Sequence, residues 1–348
     1  MSRSSIPLVD LRDFLSGDAA RRQAFVQTLG EGMGRLGFVA VEGHGIPEEL
    51  LAAAYGAARE CFGLPEAEKK KYETPEDGRQ RGYTSFGVEH AKDQPVPDLK
   101  EFWHVGRSLG ADHPLHRSHQ VPPNLFPAQV PAFAPTFTDL YARMDGFANH
   151  LLEALGAYLG YPDGFFANLI KNGNSILRVI HYPDVVAPVP GAVRAAAHED
   201  INLITVLPVS TRPGLELLTR DGTWMAVHTP PNVMVCDTGD MMALLTGGKM
   251  PATTHRVVNP EGGGDGGRLS MPFFLHPRPD AVLAVQDGKE VRADAYLAQR
   301  LREIGVMCGG GRHRAAFSPK TSVFILVDGA VAGRAPPPFL SDRYTAPA

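Results

Sequence analysis

The sequence predicts a mainly β fold, an antiparallel sandwich or barrel with helices flanking it. Its 348 residues include 37 Gly and 30 Pro, a content that indicates many turns. Between positions 175 and 276, short runs rich in β-branched or aromatic residues, such as SILRVIHYP and LSMPFFLH, alternate with Gly, Pro or Asp turns. Closely spaced strands of this kind are typical of antiparallel sheets. The chain is long enough for one large domain or two modest ones.

The flanking helices are predicted from apolar periodicity. DAARRQAFVQTLGEGMGRLG repeats large apolar residues every three to four positions, which indicates an amphipathic helix that stops at Gly37. FVAVEGHGIP then predicts a short buried strand, and PEELLAAAYGAARECFGLP a second helix. A third helix is expected from about Phe133 to Leu159, and a closing helix in VRADAYLAQRLREIGV. The segment from Thr74 to about Pro131 is rich in Pro, Gly, His and charge, so we expect long loops there.

Charge and cysteine content give no support for a nucleic-acid-binding, membrane-bound, disulfide-rich or zinc-binding protein. A net charge of −4 provides no electrostatic footprint for nucleic acid or an anionic membrane. Cys61, Cys236 and Cys308 are too widely spaced for a disulfide framework or a zinc pattern. MSRSSIPLVDLRDF lacks the apolar segment of a signal peptide, and no stretch approaches the ~20 apolar residues of a membrane span. We expect a cytoplasmic monomer or weak homo-oligomer, without nucleic-acid or membrane partners.

A candidate metal site begins in AAHEDINLITVLPVS, where His198 and Asp200 lie two residues apart. Residues i and i+2 of a strand point to the same face, so both would point inward if Leu203 and Thr205 continue that strand. His255, in PATTHRVVNP, is distant enough to belong to another strand. Two imidazoles and one carboxylate leave positions open on an octahedral cation, the facial arrangement of non-haem Fe(II) oxygenases. Each residue alone is more often solvated or packed, and their order and spacing support the prediction.

A candidate anion site lies in GGRLSMPFF, where the same parity places Arg268 beside Ser270. A buried guanidinium needs an anionic partner. Its fork suits a carboxylate, and the serine hydroxyl adds a hydrogen bond. An organic acid that chelates the metal at one end and meets Arg268 at the other fits this geometry. Strand parity also places Phe274 on this inward face, as a candidate wall of a substrate cavity.

These segments resemble the iron-binding core of the isopenicillin N synthase-like family of 2-oxoglutarate- and Fe(II)-dependent oxygenases. The matching stretches are HEDINLITVL, DTGDMMALLTGGKMPATTHRVVNP and RLSMPFFLHP, with IPLVDL, GFVAVEGHGIP and DLKEFW nearer the N-terminus. The resemblance extends from Ile6 to about Val306. It implies a double-stranded β-helix (jelly roll) core with an N-terminal α/β region. We expect an N-terminal helical and loop region at 1–131, the jelly-roll oxygenase core with its closing helix at 132–306, and an extension of unknown role at 307–348.

The resemblance also implies roles for individual residues. His198, Asp200 and His255 would be the catalytic iron ligands, Arg268 and Ser270 would hold the distal carboxylate of 2-oxoglutarate, and Tyr182 would lie near this cosubstrate. Residues in the predicted loops are candidates for substrate contact or, equally, for ordinary core packing; they are Tyr83, Phe86, Phe102 and Trp103, with Arg81 as a partner for an acidic substrate. The implied enzyme is an oxidoreductase of specialised metabolism that uses Fe(II), 2-oxoglutarate and O2. It would oxidise, by default hydroxylate, an unactivated C–H bond of a small molecule, and form succinate and CO2.

Alternatives stay open at this point. Many relatives carry an asparagine where this chain has Ile180. An isopenicillin N synthase-like Fe(II) oxidase or cyclase that does not use 2-oxoglutarate is therefore one alternative, and dependence of turnover on 2-oxoglutarate separates the two. A non-catalytic jelly-roll binding protein and a hydrolytic zinc site are others. The substrate, and the choice among hydroxylation, desaturation and cyclisation, do not follow from the sequence.

Overall fold

The computed structural model describes residues 6–90, 97–184, 192–259 and 266–306. Fifteen strands in these ranges form a nine-stranded sheet, a four-stranded sheet and a hairpin. The strands are β1 Leu8–Asp10, β2 Phe38–Glu42, β3 Gly82–Thr84, β4 Glu101–Gly106, β5 Ile176–Tyr182, β6 Ala195–His198, β7 Ile204–Pro208, β8 Leu215–Leu218, β9 Trp224–Ala226, β10 Met234–Thr238, β11 His255–Val257, β12 Arg268–Ser270, β13 Phe273–Leu275, β14 Val282–Gln286 and β15 Lys289–Arg292.

The two larger sheets build the predicted jelly roll. The large sheet has the order β1-β2-β10-β7-β13-β5-β4-β3, with β12 also paired to β5, and the small sheet has the order β6-β11-β8-β9. Their inner faces meet in two apolar clusters. In one, Phe38 of β2 and Val235 of β10 pack with Leu217 of β8. In the other, Ile180 of β5 packs with Val257 of β11. The mainly β fold with flanking helices is therefore confirmed.

Nine α-helices occur among the described residues, and the three longest contribute to the main hydrophobic core with the large sheet. The helices are α1 Leu11–Leu15, α2 Ala19–Leu36, α3 Glu48–Phe62, α4 Glu66–Lys69, α5 Pro114–Arg117, α6 Phe133–Leu159, α7 Phe165–Ile170, α8 Asp240–Leu245 and α9 Ala293–Glu303. None of the described helices is long and apolar enough to cross a membrane.

Helix boundaries follow local capping chemistry. The Asp18 side chain accepts hydrogen bonds from the backbone N–H groups of Ala20 and Arg21 at the start of α2. Gly37 ends that helix at φ 66° and donates its N–H to the Met33 carbonyl. A side chain at Gly37 would also collide with the hydroxyl of Thr253. The predicted α2, α3, α6 and α9 are all present at nearly the expected positions.

The prediction of loops from Thr74 to Pro131 is wrong in part, because β3 and β4 lie there and extend the large sheet beside β5. Strand β4 is buried along its whole length although it contains Glu101 and His104. Glu101 is paired there with the Nζ of Lys69 at 2.7 Å and with the Nδ1 of His181 at 2.8 Å. These partners are distant in sequence, so composition alone indicates a polar loop.

The short helices α1, α4, α5, α7 and α8 were not predicted as separate elements. The division after residue 131 stays a prediction, and four strands from before that point join the large sheet. The predicted C-terminal extension, 307–348, lies outside the described residues.

Candidate active site

His198, Asp200 and His255 converge at one end of the small sheet. His198 ends β6, His255 begins β11, and their Cα atoms are paired across the two strands. The Nε2 atoms of both histidines lie 3.7 Å from the Oδ1 of Asp200. All three ligand atoms lie within 4.8 Å of one another. This is the donor set of two imidazole nitrogens and one carboxylate oxygen that a facial Fe(II) site requires.

The predicted reason for this convergence is wrong. His198 and Asp200 do not share a strand with Thr205, because β6 ends at His198 and β7 begins only at Ile204. Asp200 instead lies in the intervening turn. The start of α8 holds this turn, since the backbone N–H of Asp240 donates to the Asp200 carbonyl at 2.7 Å. The carboxylate therefore reaches the histidines through a turn rather than through strand parity.

Backbone carbonyls orient both imidazoles. The Nδ1 of His198 lies 2.7 Å from the carbonyl oxygen of Ala196, and the Nδ1 of His255 lies 3.1 Å from that of Thr253. Each Nδ1–H donates to a carbonyl, so each Nε2 keeps its lone pair on the side of Asp200. Burial and the neighbouring His255 lower the pKa of His198 to about 4, so the ring is neutral at pH 7.

Asp200 is held by groups that the sequence does not reveal. Its Oδ2 accepts a hydrogen bond from the Thr205 hydroxyl, whose oxygen accepts one from the Asn202 amide at 2.9 Å. The Oδ1 is left for the metal side. Burial and the Asp200 charge raise the pKa of Asp237 on β10 well above its usual range, so a neutral carboxyl group lies nearby.

Arg268 lies buried on β12 with one donor unused. Its Nη2 donates to the Ser210 hydroxyl at 2.7 Å and its Nε to the Arg212 carbonyl at 3.0 Å. The Nη1 is buried without a hydrogen-bond partner among the described residues. Its guanidinium carbon lies 5.1 Å from the ring centroid of Tyr182. A buried, unpaired donor of a charged group is costly, and a carboxylate oxygen is its natural partner.

Ser270, the predicted companion of Arg268, is also buried and is paired with Ile180 in the sheet register. Ser210, which contacts Arg268 directly, was missed because it lies 58 residues away in the chain. The donor chemistry of both clusters fits the groups that the sequence implied. The histidines and Asp200 suit Fe(II), and the unpaired Arg268 nitrogen suits the distal carboxylate of 2-oxoglutarate.

His198, Asp200 and His255 are called the metal triad below. A cavity of about 320 Å³ opens beside this triad, with His198 and Asp200 in its wall. Phe274 lines it as predicted, although β12 ends at Ser270 and β13 begins at Phe273, so strand parity does not connect them. Helix α9 closes one side through residues such as Leu297. The volume suits a small molecule.

The other predicted substrate residues lie outside the lining that the described residues provide. Tyr83 and Trp103 are buried in an aromatic cluster. Phe102 stacks on a neighbouring arginine. Arg81, predicted as a partner for an acidic substrate, is buried and donates to the Asn174 side chain at 2.9 Å. Phe86 is 42% exposed at the surface.

Four charged residues form a buried network over the cavity. Lys100 places its Nζ 2.7 Å from Glu89 Oε1 and 2.8 Å from Asp98 Oδ2. Arg178 places its Nη1 2.9 Å from the same Glu89 oxygen. The Asp98 Oδ1 accepts the backbone N–H of Ala196 on β6 at 2.9 Å. Polar residues therefore form much of the cavity wall.

Acid will weaken this network. Burial alone would raise the pKa of Glu89, but the charges of Arg178 and Lys100 outweigh it and hold this pKa well below its usual range. Because folding lowers its pKa, the ionised Glu89 carboxylate stabilises the fold above about pH 4.3. This stabilisation is lost as the pH falls toward the folded-state pKa. We expect Glu89→Gln to lower the free energy of unfolding at pH 7 by about 3–5 kcal/mol.

Urea unfolding across a pH series measures this effect. The difference between wild type and Glu89→Gln will shrink as pH falls below about 4. Glu66→Gln, which removes an exposed pair with Lys70, is the control and will cost at most about 1 kcal/mol. A difference that stays constant down to pH 2 would contradict the stabilising role of the Glu89 carboxylate.

Comparisons with known proteins agree with this geometry. The N-terminal model of non-haem dioxygenases in morphine synthesis matches residues 6–129, and the 2OG-Fe(II) oxygenase superfamily model matches residues 173–277. The 2-oxoglutarate-Fe(II) type oxidoreductase hxnY of Emericella nidulans is 30% identical over 81% of this chain and 82% of its own length. Validamycin A dioxygenase of Streptomyces hygroscopicus is 28% identical over 80% of this chain and 79% of its own.

Solved structures are also similar. A 2OG-Fe(II) oxygenase family protein of Caulobacter crescentus is 38% identical, with a TM-score of 0.77 over 86% of this chain and all of that one. A full-length Neurospora crassa protein, solved in complex with alpha-KG and thymine, is 26% identical, with a TM-score of 0.74 over 85% of this chain and 96% of its own.

Proposed function

Because the chain belongs to the 2OG-Fe(II) oxygenase superfamily and is a 2-oxoglutarate- and Fe(II)-dependent dioxygenase, we propose that His198, Asp200 and His255 hold its iron and that a small polar molecule is oxidised in the adjoining cavity. The observation that carries this proposal is the convergence of two Nε2 atoms on one carboxylate oxygen. When bound, the iron with 2-oxoglutarate and O2 supplies the oxidation of an unactivated C–H bond, with succinate and CO2 as coproducts.

The protein positions these reactants. We assign Arg268 to the distal carboxylate of 2-oxoglutarate through its unpaired Nη1, with Ser270 and Tyr182 completing the pocket. The Ser210 hydroxyl fixes the orientation of the guanidinium. Apolar side chains between the sheets, among them Ile180, exclude water from this region. In such surroundings, the pairing of a guanidinium with a carboxylate is stronger than in water.

The substrate enters from the cavity side, where Phe274 and Arg178 lie in the wall. We propose hydroxylation as the reaction. For hydroxylation, the cavity needs only to place the C–H bond near the iron. The thymine in the Neurospora crassa complex supports a small, planar, polar substrate. Relatives named as 2-oxoglutarate-Fe(II) type oxidoreductases favour a dioxygenase that uses 2-oxoglutarate over an oxidase that does not use it.

We propose a cytoplasmic enzyme of specialised metabolism. The wide spacing of the three cysteines supports a cytoplasmic protein. Relatives such as validamycin A dioxygenase support a role in specialised metabolism. The modest net charge of −4 gives no support for a nucleic-acid or membrane partner. We propose a monomer or weak homo-oligomer.

An anaerobic titration of the Fe(II)-loaded protein with 2-oxoglutarate tests the proposed function. We expect the visible absorption band of the iron–2-oxoglutarate chelate to appear and to saturate at one equivalent. Admission of O2 should then produce succinate. If iron binds but neither the band nor succinate appears, the proposed cosubstrate site is wrong, and Arg268 belongs to a substrate site instead.

Removal of the Thr205 hydroxyl will weaken iron binding. Thr205→Val keeps the side-chain shape but removes the hydrogen bond to Asp200 Oδ2, so the carboxylate is no longer held in place. We expect the Fe(II) affinity to fall about 10- to 100-fold, as for other groups that orient metal ligands. Competition with a chelator measures it. Thr246→Val, which removes a buried hydroxyl that donates to the Met242 carbonyl, should leave iron affinity unchanged.

A further inference from the structure

Arg178 is held rigidly in the cavity wall. Its Nε donates to the Nε2 of His104 at 2.7 Å, and its Nη1 to Glu89 Oε1 at 2.9 Å. Its guanidinium carbon lies 4.2 Å from the ring centroid of Phe102 and 5.2 Å from that of Phe274. These contacts on two nitrogens and two rings fix the plane of the guanidinium before any ligand binds.

His104 accepts this hydrogen bond as a neutral ring. Its Nδ1 lies 2.8 Å from the Arg79 carbonyl oxygen and donates to it, so Nε2 is the acceptor. The ring is buried and adds no charge to the site. The remaining nitrogen of Arg178, Nη2, makes no hydrogen bond to another described residue. One oriented donor is therefore left on a residue that lines the cavity.

The charges around Arg178 are already balanced. Arg178 and Lys100 are two cations, and Glu89 and Asp98 are the two anions that contact them. On the far wall, Arg300 is paired with Asp240 and Glu303 on its own side. A ligand carboxylate near Arg178 would add an unmatched negative charge to a buried network, whereas a neutral carbonyl oxygen would not.

Glu89 adds the complementary group. It lines the cavity, and its Oε2 is buried without a hydrogen-bond partner among the described residues. A free donor on Arg178 and a free acceptor on Glu89 match a ligand that presents C=O next to N–H. The ring of Phe274 in the same wall provides an apolar face for a planar ring.

We propose that Arg178 anchors the substrate through a neutral carbonyl oxygen, and that the cavity selects planar cyclic amides over carboxylic acids of similar size. This inference rests on the proposed function, because it names the ligand chemistry of the same cavity. It assigns Arg178 and Glu89 to substrate contact, and His104 to positioning of the Arg178 guanidinium.

Anaerobic calorimetry on the enzyme loaded with Fe(II) and 2-oxoglutarate tests the selectivity. Thymine and 2-pyridone are the neutral cyclic amides, and benzoate is the carboxylate of similar size. We expect the affinity for each amide to be at least about tenfold higher than the affinity for benzoate. If benzoate binds as tightly as the amides, or if neither amide binds, the inference is wrong.

Variants test the anchor itself. We expect Arg178→Gln to weaken amide binding about 10- to 100-fold, the effect of one hydrogen bond from a charged donor. Arg178→Lys keeps the charge but loses the fork, and should recover only part of the affinity. Arg107→Gln, which breaks a pair with Asp145 elsewhere, is the control and should bind the amides like wild type. Unchanged amide binding in Arg178→Gln would overturn the assignment.

The chelate band separates this inference from the proposed function. It should form with 2-oxoglutarate in wild type and in every Arg178 variant, because Arg178 lines the cavity and Arg268 does not. A band in wild type without amide selectivity would reject only the substrate inference. Absence of the band in wild type would reject the proposed cosubstrate site, whatever the amides do.

Discussion

Asp200→Ala is expected to lower succinate formation by more than about 100-fold. Changes to groups that merely orient a metal ligand cost about 10- to 100-fold, so loss of a ligand should cost more. Both histidine Nε2 atoms also lie 3.7 Å from the Oδ1 of Asp200. Its removal leaves two imidazoles without the carboxylate that balances part of the metal charge.

Two measurements check this prediction, metal content after gel filtration and succinate released per minute. Asp280→Ala is the matched control, since that carboxylate is exposed and pairs with Arg278 away from the cavity. It should retain both iron and turnover. Stoichiometric iron and normal turnover in Asp200→Ala would remove Asp200 from the ligand set.

Arg268→Gln is expected to weaken 2-oxoglutarate binding about 30- to 3,000-fold, which corresponds to a loss of about 2–5 kcal/mol. The guanidinium is buried, and two of its nitrogens are already held by Ser210 and the Arg212 carbonyl. The third, Nη1, is unpaired, so the site is oriented before the cosubstrate arrives. A glutamine cannot supply the charge that pairs with a buried carboxylate.

The titration with 2-oxoglutarate measures this loss directly, and graded variants locate its cause. Arg268→Lys should recover part of the affinity, because an ammonium keeps the charge without the planar fork. Ser210→Ala should cost about tenfold or less, since it removes one neutral partner of the guanidinium. If Arg268→Gln binds 2-oxoglutarate like wild type, the distal carboxylate lies elsewhere.

Elements with local signals could be predicted from the sequence. The α2 helix is set by its apolar period and ends at Gly37, and α6 spans Phe133–Leu159 as expected. Both depend on interactions between residues a few positions apart. The convergence of His198, Asp200 and His255 could also be predicted, because the types and order of these residues are restrictive.

Features that depend on distant partners could not be predicted. Glu101 at the start of β4 is a charged residue, and only its pairs with Lys69 and His181 explain its burial. Strand parity was the wrong reason for the position of Asp200, since the turn that carries it is held by α8. Ser210 accepts a hydrogen bond from Arg268, which lies 58 residues away in the chain. No sequence pattern connects two residues at that separation.

The origin of the cavity wall has a consequence for the divergence of this enzyme. The metal triad and Arg268 come from the paired strands of the jelly roll and the turn after β6. Much of the cavity wall comes from segments that precede or follow these strands in the chain, around Glu89 and along α9. Mutations in those outer segments can therefore change the preferred substrate while the oxidising centre is inherited intact. Laboratory evolution toward a new substrate should begin there.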